Sequence, residues 1–244
     1  MKILGLTGGI ASGKTTVSTY LKEMGYPIID ADKVSRKVVE PHTEGLKEIS
    51  HFFGNDILQS NGSLNRKKLG EIVFENKDKR ELLNKILSKK IRTEIINQIE
   101  YYKKQGADVL ILDIPLLFEG GYDKMCDFTM VIYIPKELQI ERLIQRDGLT
   151  RDKALKRISA QLDSAERNSK ADIVIDNSRS IEDTHNQVMM SSLHLNSSCC
   201  CLKSCLSLIS YLMSSLHLSS SCCYLKSCLN YSSNLMISCC LMSS

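Results

Sequence analysis

The stretch Gly8-Gly9-Ile10-Ala11-Ser12-Gly13-Lys14-Thr15 (GGIASGKT) satisfies the spacing G-x-x-x-x-G-K-T. It directly follows an apolar run, residues 2–7, and directly precedes a segment of helical period. Glycines in such a loop let backbone N–H groups face phosphates, and the N-terminus of the following helix favours anions. Lys14 can then reach the terminal phosphates, and Thr15 can offer its hydroxyl to Mg²⁺. The motif and its context predict a nucleotide-binding P-loop.

Outward from this loop, short apolar runs alternate with longer segments of helical period. The apolar runs are residues 2–7, 27–29, 109–112, 129–134 and 173–175. Helices are predicted at residues 14–24, 33–40 and 137–146, which end at glycine or proline. Alternation of this kind indicates a parallel sheet covered by helices. We therefore expect an α/β protein with the P-loop NTPase fold, a five-stranded parallel sheet flanked by helices.

Two helical segments are predicted to interrupt the sheet. Residues 33–104 carry apolar residues at helical spacing and are too long for a plain crossover between strands, so we expect an inserted helical subdomain at the ligand crevice. Residues 137–169 are rich in charge and are predicted to form a helical lid. The predicted core of the domain is then 1–32, 105–136 and 170–188.

The composition changes near residue 188. Residues 189–244 hold nine of the ten cysteines and 18 serines, and they contain no Asp, Glu, Arg, Gly or Pro. Two short motifs in this segment recur at an offset of 23 residues, and its cysteines lack the paired spacing of a structural zinc site. We interpret residues 1–188 as the functional domain and 189–244 as a Ser/Cys/Leu-rich repeat tail that contributes nothing to catalysis.

The remaining composition excludes several classes of protein. Without the two lysines of the tail the net charge is +2, which predicts no general attraction to nucleic acid or to a membrane surface. The body has one cysteine, Cys126, as expected in a reducing compartment. Its most apolar segment, residues 109–118, is too short to cross a bilayer. We expect a cytoplasmic protein with no nucleic-acid, membrane or obligate protein partner.

A GTP-dependent switch is disfavoured by two missing motifs. The nearest candidate for a guanine-reading N-K-x-D ends in Lys79, and the third predicted strand leads into Asp113-Ile114-Pro115 rather than D-x-x-G. The sequence contains no G-x-G-x-x-G motif, so a dinucleotide-binding fold is also disfavoured. Asp113 stands at a strand end, where its carboxylate can bind Mg²⁺ directly or through water. The alternative is that Asp113 only orders the turn before Pro115.

Carboxylates also follow the second predicted strand, at Asp30 and Asp32. A strand after a P-loop helix ends beside the phosphate crevice, where Asp32 could orient an attacking hydroxyl or accept its proton. The alternative is that Asp32 caps a helix that begins at Lys33. The same two roles, handling of the acceptor hydroxyl and helix capping, are both possible for Asp30.

Arginines of the predicted lid form a candidate cationic clamp. Arg142 and Arg146 are four residues apart and so share one helix face, and Arg157 follows on the next helix. Closure of these arginines over a transferring phosphate would neutralise charge and exclude water. The alternative is a solvated charged face in which the arginines pair with nearby acids: Glu141, Asp147 and Asp152.

Five motifs together resemble the dephospho-CoA kinase family. They are GLTGGIASGKTT (5–16), DADKVSRKVVEP (30–41), DIPLLFEG (113–120), RISAQ (157–161) and ADIVIDN (171–177), and the resemblance extends to about residue 188. It implies ATP-dependent phosphorylation of the ribose 3′-hydroxyl of dephospho-CoA, giving coenzyme A and ADP. Mg²⁺ is the implied cofactor, and ATP and dephospho-CoA are the implied partners.

The resemblance and the residue chemistry lead to one set of expected roles. Catalysis is assigned to Asp32, Lys14, Arg142 and Arg146, and Mg²⁺ to Thr15 and Asp113. Substrate binding is assigned to Asp32, Leu117 and Glu119. The predicted ATP-binding residues are Gly8, Gly9, Ile10, Ala11, Ser12, Gly13, Lys14, Thr15, Thr16 and Asn177.

At three sites, four residues in all, the chain departs from the usual residues of the family. Ser88-Lys89 replaces His-Pro, Asp163 replaces a proline, and Arg179 replaces a glycine. We expect these changes to bear on acceptor affinity, lid geometry and the backbone of the adenine-side loop respectively, the last because glycine tolerates positive φ.

Two alternative functions use the same P-loop. One is a small-molecule kinase for another hydroxyl acceptor, and the other is an ATP-binding regulatory module without acceptor chemistry. The regulatory module has no need of Asp32. A kinase needs an acceptor-side group, whether its acceptor is dephospho-CoA or another hydroxyl compound.

Overall fold

The computed structural model describes residues 1–196, apart from the side chains of Glu75 and residues 193–196. Within them a single parallel sheet has the strand order β2-β3-β1-β4-β5. The strands are β1 Lys2–Gly8, β2 Ile28–Asp30, β3 Val109–Asp113, β4 Phe128–Tyr133 and β5 Ile173–Asp176. The predicted fold is confirmed, and each strand begins and ends within one residue of its predicted position.

Helices connect the strands. Across the described residues they are α1 Lys14–Glu23, α2 Ala31–Lys37, α3 Glu44–Phe53, α4 Arg66–Glu75, α5 Lys77–Lys104, α6 Lys136–Asp147, α7 Arg151–Ser159, α8 Ser164–Ser169 and α9 Ile181–Asn196. Short 3₁₀ turns lie at Asn55–Ile57 and Asp123–Met125. Helix α2 begins two residues before the predicted helix because Asp30, and not Asp32, caps it.

The register of the sheet brings three functional segments to one edge. Asp30 at the end of β2 lies opposite Asp113 at the end of β3, and Asp113 lies opposite Leu6 near the end of β1. Since the carboxyl ends of parallel strands open into the same crevice, the P-loop and the loops after β2 and β3 meet there. The central strands are buried on both sides, by one apolar cluster beneath α2–α5 and another beneath α1 and α9.

Helices α2 to α5 form the segment between β2 and β3. The 28-residue α5 buries Leu83, Ile86, Ile95 and Ile99. Asn76, from the failed guanine motif, is the N-cap of α5 and accepts a hydrogen bond from the backbone N–H of Lys79 at 3.0 Å. The substitution Ser88-Lys89 lies on the exposed face of α5, where it lets the helix continue without the break that a proline would favour.

Helices α6, α7 and α8 form the segment that we predicted as a lid, held by a small apolar cluster around Ile140, Leu143 and Ala154. Asp163 has φ −56°, a value that proline also adopts, and its carboxylate caps α8 by accepting from Ala165 N at 2.8 Å. Arg179 does not have a positive φ. The backbone therefore accommodates Asp163 and Arg179 without the strain that their replacement of proline and glycine could have caused.

The predicted domain boundary at residue 188 falls inside helix α9. Val188, Ser191 and Ser192 of this helix are all buried. Thus the packed helix continues past the point at which the composition changes. The predictions for the repeats and cysteines of the tail beyond Asn196 lie outside the described residues. Among residues 1–196, no helix combines the length and apolar character needed to cross a membrane.

Candidate active site

The P-loop begins at the end of β1 and leads into α1. Gly13 has φ +90° and Ala11 has φ +60°, so the loop turns through left-handed backbone conformations. A Cβ on Gly13 would lie 2.0 Å from the side-chain nitrogen of Asn177, which leaves room for glycine alone. No side chain caps the N-terminus of α1, which leaves its first N–H groups available to an anion.

Lys14 forms an ion pair with Asp113 at the end of β3. Burial raises the pKa of the Asp113 carboxyl above its ordinary value, although the Lys14 ammonium and a hydrogen bond with Ser18 act in the opposite direction. The pair connects the P-loop helix to the neighbouring strand. Lys14 therefore lies between the predicted phosphate site and the predicted metal ligand.

The residues around the P-loop fit the chemistry of Mg²⁺. Thr15 is exposed at the start of α1 and offers a hydroxyl, and Asp113 offers a carboxylate. Mg²⁺ prefers such hard oxygen donors and usually keeps waters and substrate phosphates as its other ligands. Residues 1–196 contain no cluster of three or more His, Cys, Asp or Glu that could hold a metal. A site completed by ATP phosphates needs no such cluster.

The two aspartates after β2 have different roles. Asp30 is the N-cap of α2: its Oδ1 accepts from the backbone N–H groups of Asp32 and Lys33 at 3.0 and 3.1 Å. Partial burial would raise the pKa of Asp30, but these bonds and the Lys33 ammonium together lower it. The cap considered for Asp32 is thus wrong, because Asp30 already occupies that position. The Asp32 side chain is exposed in the first turn of α2 at the crevice edge.

The structure separates the predicted lid arginines into two groups. Arg142 donates to the backbone carbonyl of Asn177 at 3.1 Å and lies next to the P-loop at Gly13. Arg146 and Arg157 instead share the carboxylate of Asp147, at 2.8 and 2.6 Å. Asp147 thereby fulfils the predicted pairing with a nearby acid. Of these three arginines, Arg142 alone lies against the phosphate loop.

Asn177, which follows β5, is hydrogen-bonded to the P-loop. Its side-chain nitrogen donates to Ser12 O at 2.7 Å, and its side-chain oxygen accepts from the hydroxyl of Thr184 at 2.8 Å. The side chain is buried. Both ends of its amide are engaged by protein groups, so this side chain helps to fix the position of Ser12 and Gly13.

Leu117 and Glu119, the expected substrate-binding residues after β3, lie in different environments. Leu117 is 0% exposed and packs against Gly5, so it supports the loop from inside the core. The carboxylate of Glu119 accepts from the backbone N–H of Leu162 at 3.1 Å, linking this loop to the lid segment. Only Glu119 of the two is placed to contact a ligand in the crevice.

Three polar residues at the P-loop were missed by sequence reasoning. Gln161 accepts from the backbone N–H of Ile10 at 2.7 Å, and Gln139 donates to the Ile10 carbonyl, also at 2.7 Å. Both backbone groups of one P-loop residue are therefore held by the lid segment. The third residue, Arg167, is buried beside Gly9. Of these three residues, Gln161 alone had a signal in the sequence, because it is the last residue of the RISAQ motif.

Comparison with known proteins agrees with this geometry. The family model "Dephospho-CoA kinase" matches residues 2–183. A dephospho-CoA kinase from Listeria innocua is 45% identical over 188 residues, covering 77% of this chain and 94% of the relative. A dephospho-CoA kinase domain-containing protein from Danio rerio is 48% identical over 190 residues, covering 78% and 83%.

A solved structure shows the same architecture. The dephospho-CoA kinase from Campylobacter jejuni superposes with a TM-score of 0.64 at 33% identity, and the match covers 80% of this chain and 98% of that one. The matched family residues include the P-loop, the loops after β2 and β3, and the lid segment. The chain therefore belongs to the dephospho-CoA kinase family.

Proposed function

We propose that this kinase transfers the γ-phosphoryl group of ATP to the ribose 3′-hydroxyl of dephospho-CoA, which is the last step of coenzyme A synthesis. The family assignment supports this reaction. The observation that carries it in the structure is the meeting of donor and acceptor groups at one sheet edge. Asp30 lies opposite Asp113 in the register of β2 and β3, and Asp113 pairs with Lys14 of the P-loop.

The proposed mechanism assigns a role to each group at this edge. Asp32 orients the acceptor hydroxyl and takes its proton as the new O–P bond forms, while the bond from the γ-phosphorus to the ADP oxygen breaks. Lys14 and the N–H groups at the start of α1 stabilise the phosphate charge. Thr15 and Asp113 would hold Mg²⁺, which neutralises charge on the ATP phosphates when bound.

The helical segments supply the rest of the proposed site. Residues 33–104 form the acceptor-binding side of the crevice, and residues 137–169 act as the lid that excludes water. Arg142 reaches the P-loop in the present arrangement, whereas Arg146 must leave Asp147 before it can contact a phosphate. The near-neutral charge of the body supports an enzyme without a nucleic-acid or membrane-surface partner, and its single cysteine, Cys126, supports a cytoplasmic location.

The test is ADP release with dephospho-CoA as acceptor, for the wild-type protein and for Asp32→Asn. Loss of a positioned general base is expected to lower kcat by about 100-fold or more. Asp108→Asn is the matched control, since Asp108 is an exposed aspartate just before the start of β3, at the opposite end of that strand from Asp113. Unchanged turnover in Asp32→Asn would remove Asp32 from the catalytic role.

Substrate choice tests the reaction itself. Efficient phosphorylation of shikimate or a nucleoside monophosphate, with none of dephospho-CoA, would support a kinase for another acceptor. ATP binding without transfer to any acceptor would support a regulatory module. Either result contradicts the proposed function.

A further inference from the structure

Arg167 is a buried cation whose hydrogen-bonding capacity is only partly used. It lies in α8 of the lid segment and is 5% exposed. One guanidinium nitrogen, Nη2, donates to the carbonyl of Leu162 at 2.5 Å. The buried Nε has no hydrogen-bond partner within the described residues. A guanidinium carries five N–H donors, so this side chain is prepared for a further acceptor.

The guanidinium lies directly against the P-loop. Its Nη1 is 3.1 Å from the point that a Cβ on Gly9 would occupy, and Gln139 Nε2 is 2.7 Å from that point. A separate cavity of about 430 Å³ is lined by none of these residues. The cavity of about 410 Å³ beside Arg167 is lined by further polar groups of the lid segment, among them Lys136, Lys156 and Gln161. Arg167 thus lines a cavity of the lid segment and also lies against the P-loop at Gly9.

No carboxylate of the described residues forms an ion pair with Arg167. Glu119 and Asp163 are near enough to favour its charged form, but they do not compensate for burial, which lowers the pKa of this arginine. A buried charge without a partner is costly, and proteins keep such groups where they serve a ligand or a mechanism. An anion bound at the guanidinium would compensate for this charge and accept from its unused N–H donors.

We propose that Arg167 is a further catalytic residue, whose guanidinium binds a phosphoryl oxygen of the substrates held at the P-loop. A planar guanidinium fork matches a phosphoryl group in shape and charge better than an ammonium does. The proposal rests on the proposed function in one respect, namely that the P-loop holds ATP. The phosphoryl group belongs either to ATP or to the diphosphate of dephospho-CoA, and the two sources are separable by experiment.

The experiment compares Arg167→Met and Arg167→Lys with wild type. Measurements are the affinities for ADP, for a non-hydrolysable ATP analogue and for dephospho-CoA, together with kcat and both KM values. Lys22→Met is the control, since Lys22 is an exposed cation in the last turn of α1, at the end of that helix away from the P-loop. Urea unfolding of each variant shows whether the fold is kept, and Arg167→Lys retains a cation if the methionine variant does not fold.

Loss of a phosphoryl contact is expected to lower kcat by about 100-fold in Arg167→Met. Added methylguanidinium restores part of this activity, whereas urea at the same concentration does not. A loss of affinity that is larger for the ATP analogue than for ADP identifies ATP as the source of the phosphoryl group. A loss of affinity for dephospho-CoA alone identifies the acceptor as the source. The control variant keeps the kinetic constants of the wild type.

Two results would overturn the proposal. One is a folded Arg167 variant with unchanged affinities and kcat. The other is a loss of activity that follows only the loss of folding and that methylguanidinium does not relieve, which makes Arg167 a lid anchor through Leu162. If wild type fails to phosphorylate dephospho-CoA, the nucleotide-binding measurements still decide the role of Arg167.

Discussion

The side-chain nitrogen of Asn177 donates a hydrogen bond to the backbone carbonyl of Ser12 over 2.7 Å, across 165 residues of sequence. This bond attaches the loop after β5 to the P-loop. The same amide accepts from Thr184 in α9, so the P-loop is connected through one side chain to the helix that follows β5. The position of the phosphate loop therefore depends on the last strand of the sheet.

Replacing Asn177 by alanine should weaken both the fold and nucleotide binding. The change leaves the buried Ser12 carbonyl and the Thr184 hydroxyl without these bonds, and we expect a loss of about 1–3 kcal/mol in the free energy of unfolding. Urea denaturation and ADP titration measure the two effects. Ser178→Ala is the control, because the bond from Ser178 to Asp176 uses its backbone N–H. Unchanged stability and ADP affinity in Asn177→Ala would contradict the anchoring role.

Replacing Asp30 by alanine should affect stability more than Asp32→Ala does. Asp30 accepts from two backbone N–H groups at the start of α2, and loss of such a cap typically costs about 1 kcal/mol. Asp32 is exposed and its change should leave the free energy of unfolding nearly unaltered while it lowers kcat. Denaturant unfolding and ADP release together make the distinction. A larger loss of stability in Asp32→Ala would reassign the cap.

The stability contributed by Asp113 should decrease as pH rises. Its pKa in the folded protein is raised from the ordinary 3.8, so the folded state holds the proton more tightly than the unfolded chain does. This contribution is fully present below the unfolded pKa and is lost as pH rises through the folded pKa. The asparagine of Asp113→Asn has no such proton to lose.

The measurement is the free energy of unfolding of wild type and Asp113→Asn from acidic to neutral pH. The stability of wild type relative to the variant should fall as pH rises from about 4 upward, the ordinary range of an aspartate pKa. A relative stability that rises with pH over this range would show that the Lys14 ion pair outweighs burial.

Cys126 should resist alkylation in the folded protein. Burial raises the pKa of its thiol to about 12, with a further contribution from Asp123 and Asp127. The thiolate is the reactive form, so iodoacetamide at pH 8 should label this residue slowly. Peptide mapping by mass spectrometry reads Cys126 separately from the tail cysteines. Labelling in urea is the control, and equally fast labelling in the folded state would contradict the burial of the thiol.

The strands and the P-loop could be predicted from sequence because their signals are local. The P-loop glycines, Lys14 and Thr15 lie in one continuous stretch of the chain. Each strand is a short apolar run bounded by turn residues. Helix ends were less predictable. The start of α2 moved because the capping side chain was Asp30 rather than Asp32, and both are acids near the end of one strand.

The partners of the lid residues could not be predicted in the same way. Arg142, Arg146 and Arg157 have similar sequence contexts, yet Arg142 bonds to the loop after β5 while the other two share Asp147. The choice depends on where α6 and α7 lie relative to the sheet. That placement comes from apolar packing around Leu143 and Ala154, which charge spacing does not report.

The sequence by itself determined the class of fold, the phosphate loop and the family to which the chain belongs. These rest on contiguous motifs and on the period of apolar residues, both of which are readable along one stretch of chain. Only the tertiary structure decided which groups hold the loop, because the contact of Ile10 with Gln161 joins residues 151 positions apart. Burial is likewise a property of the packed molecule, and it distinguishes Arg167 from the exposed lid arginines Arg146, Arg151 and Arg157.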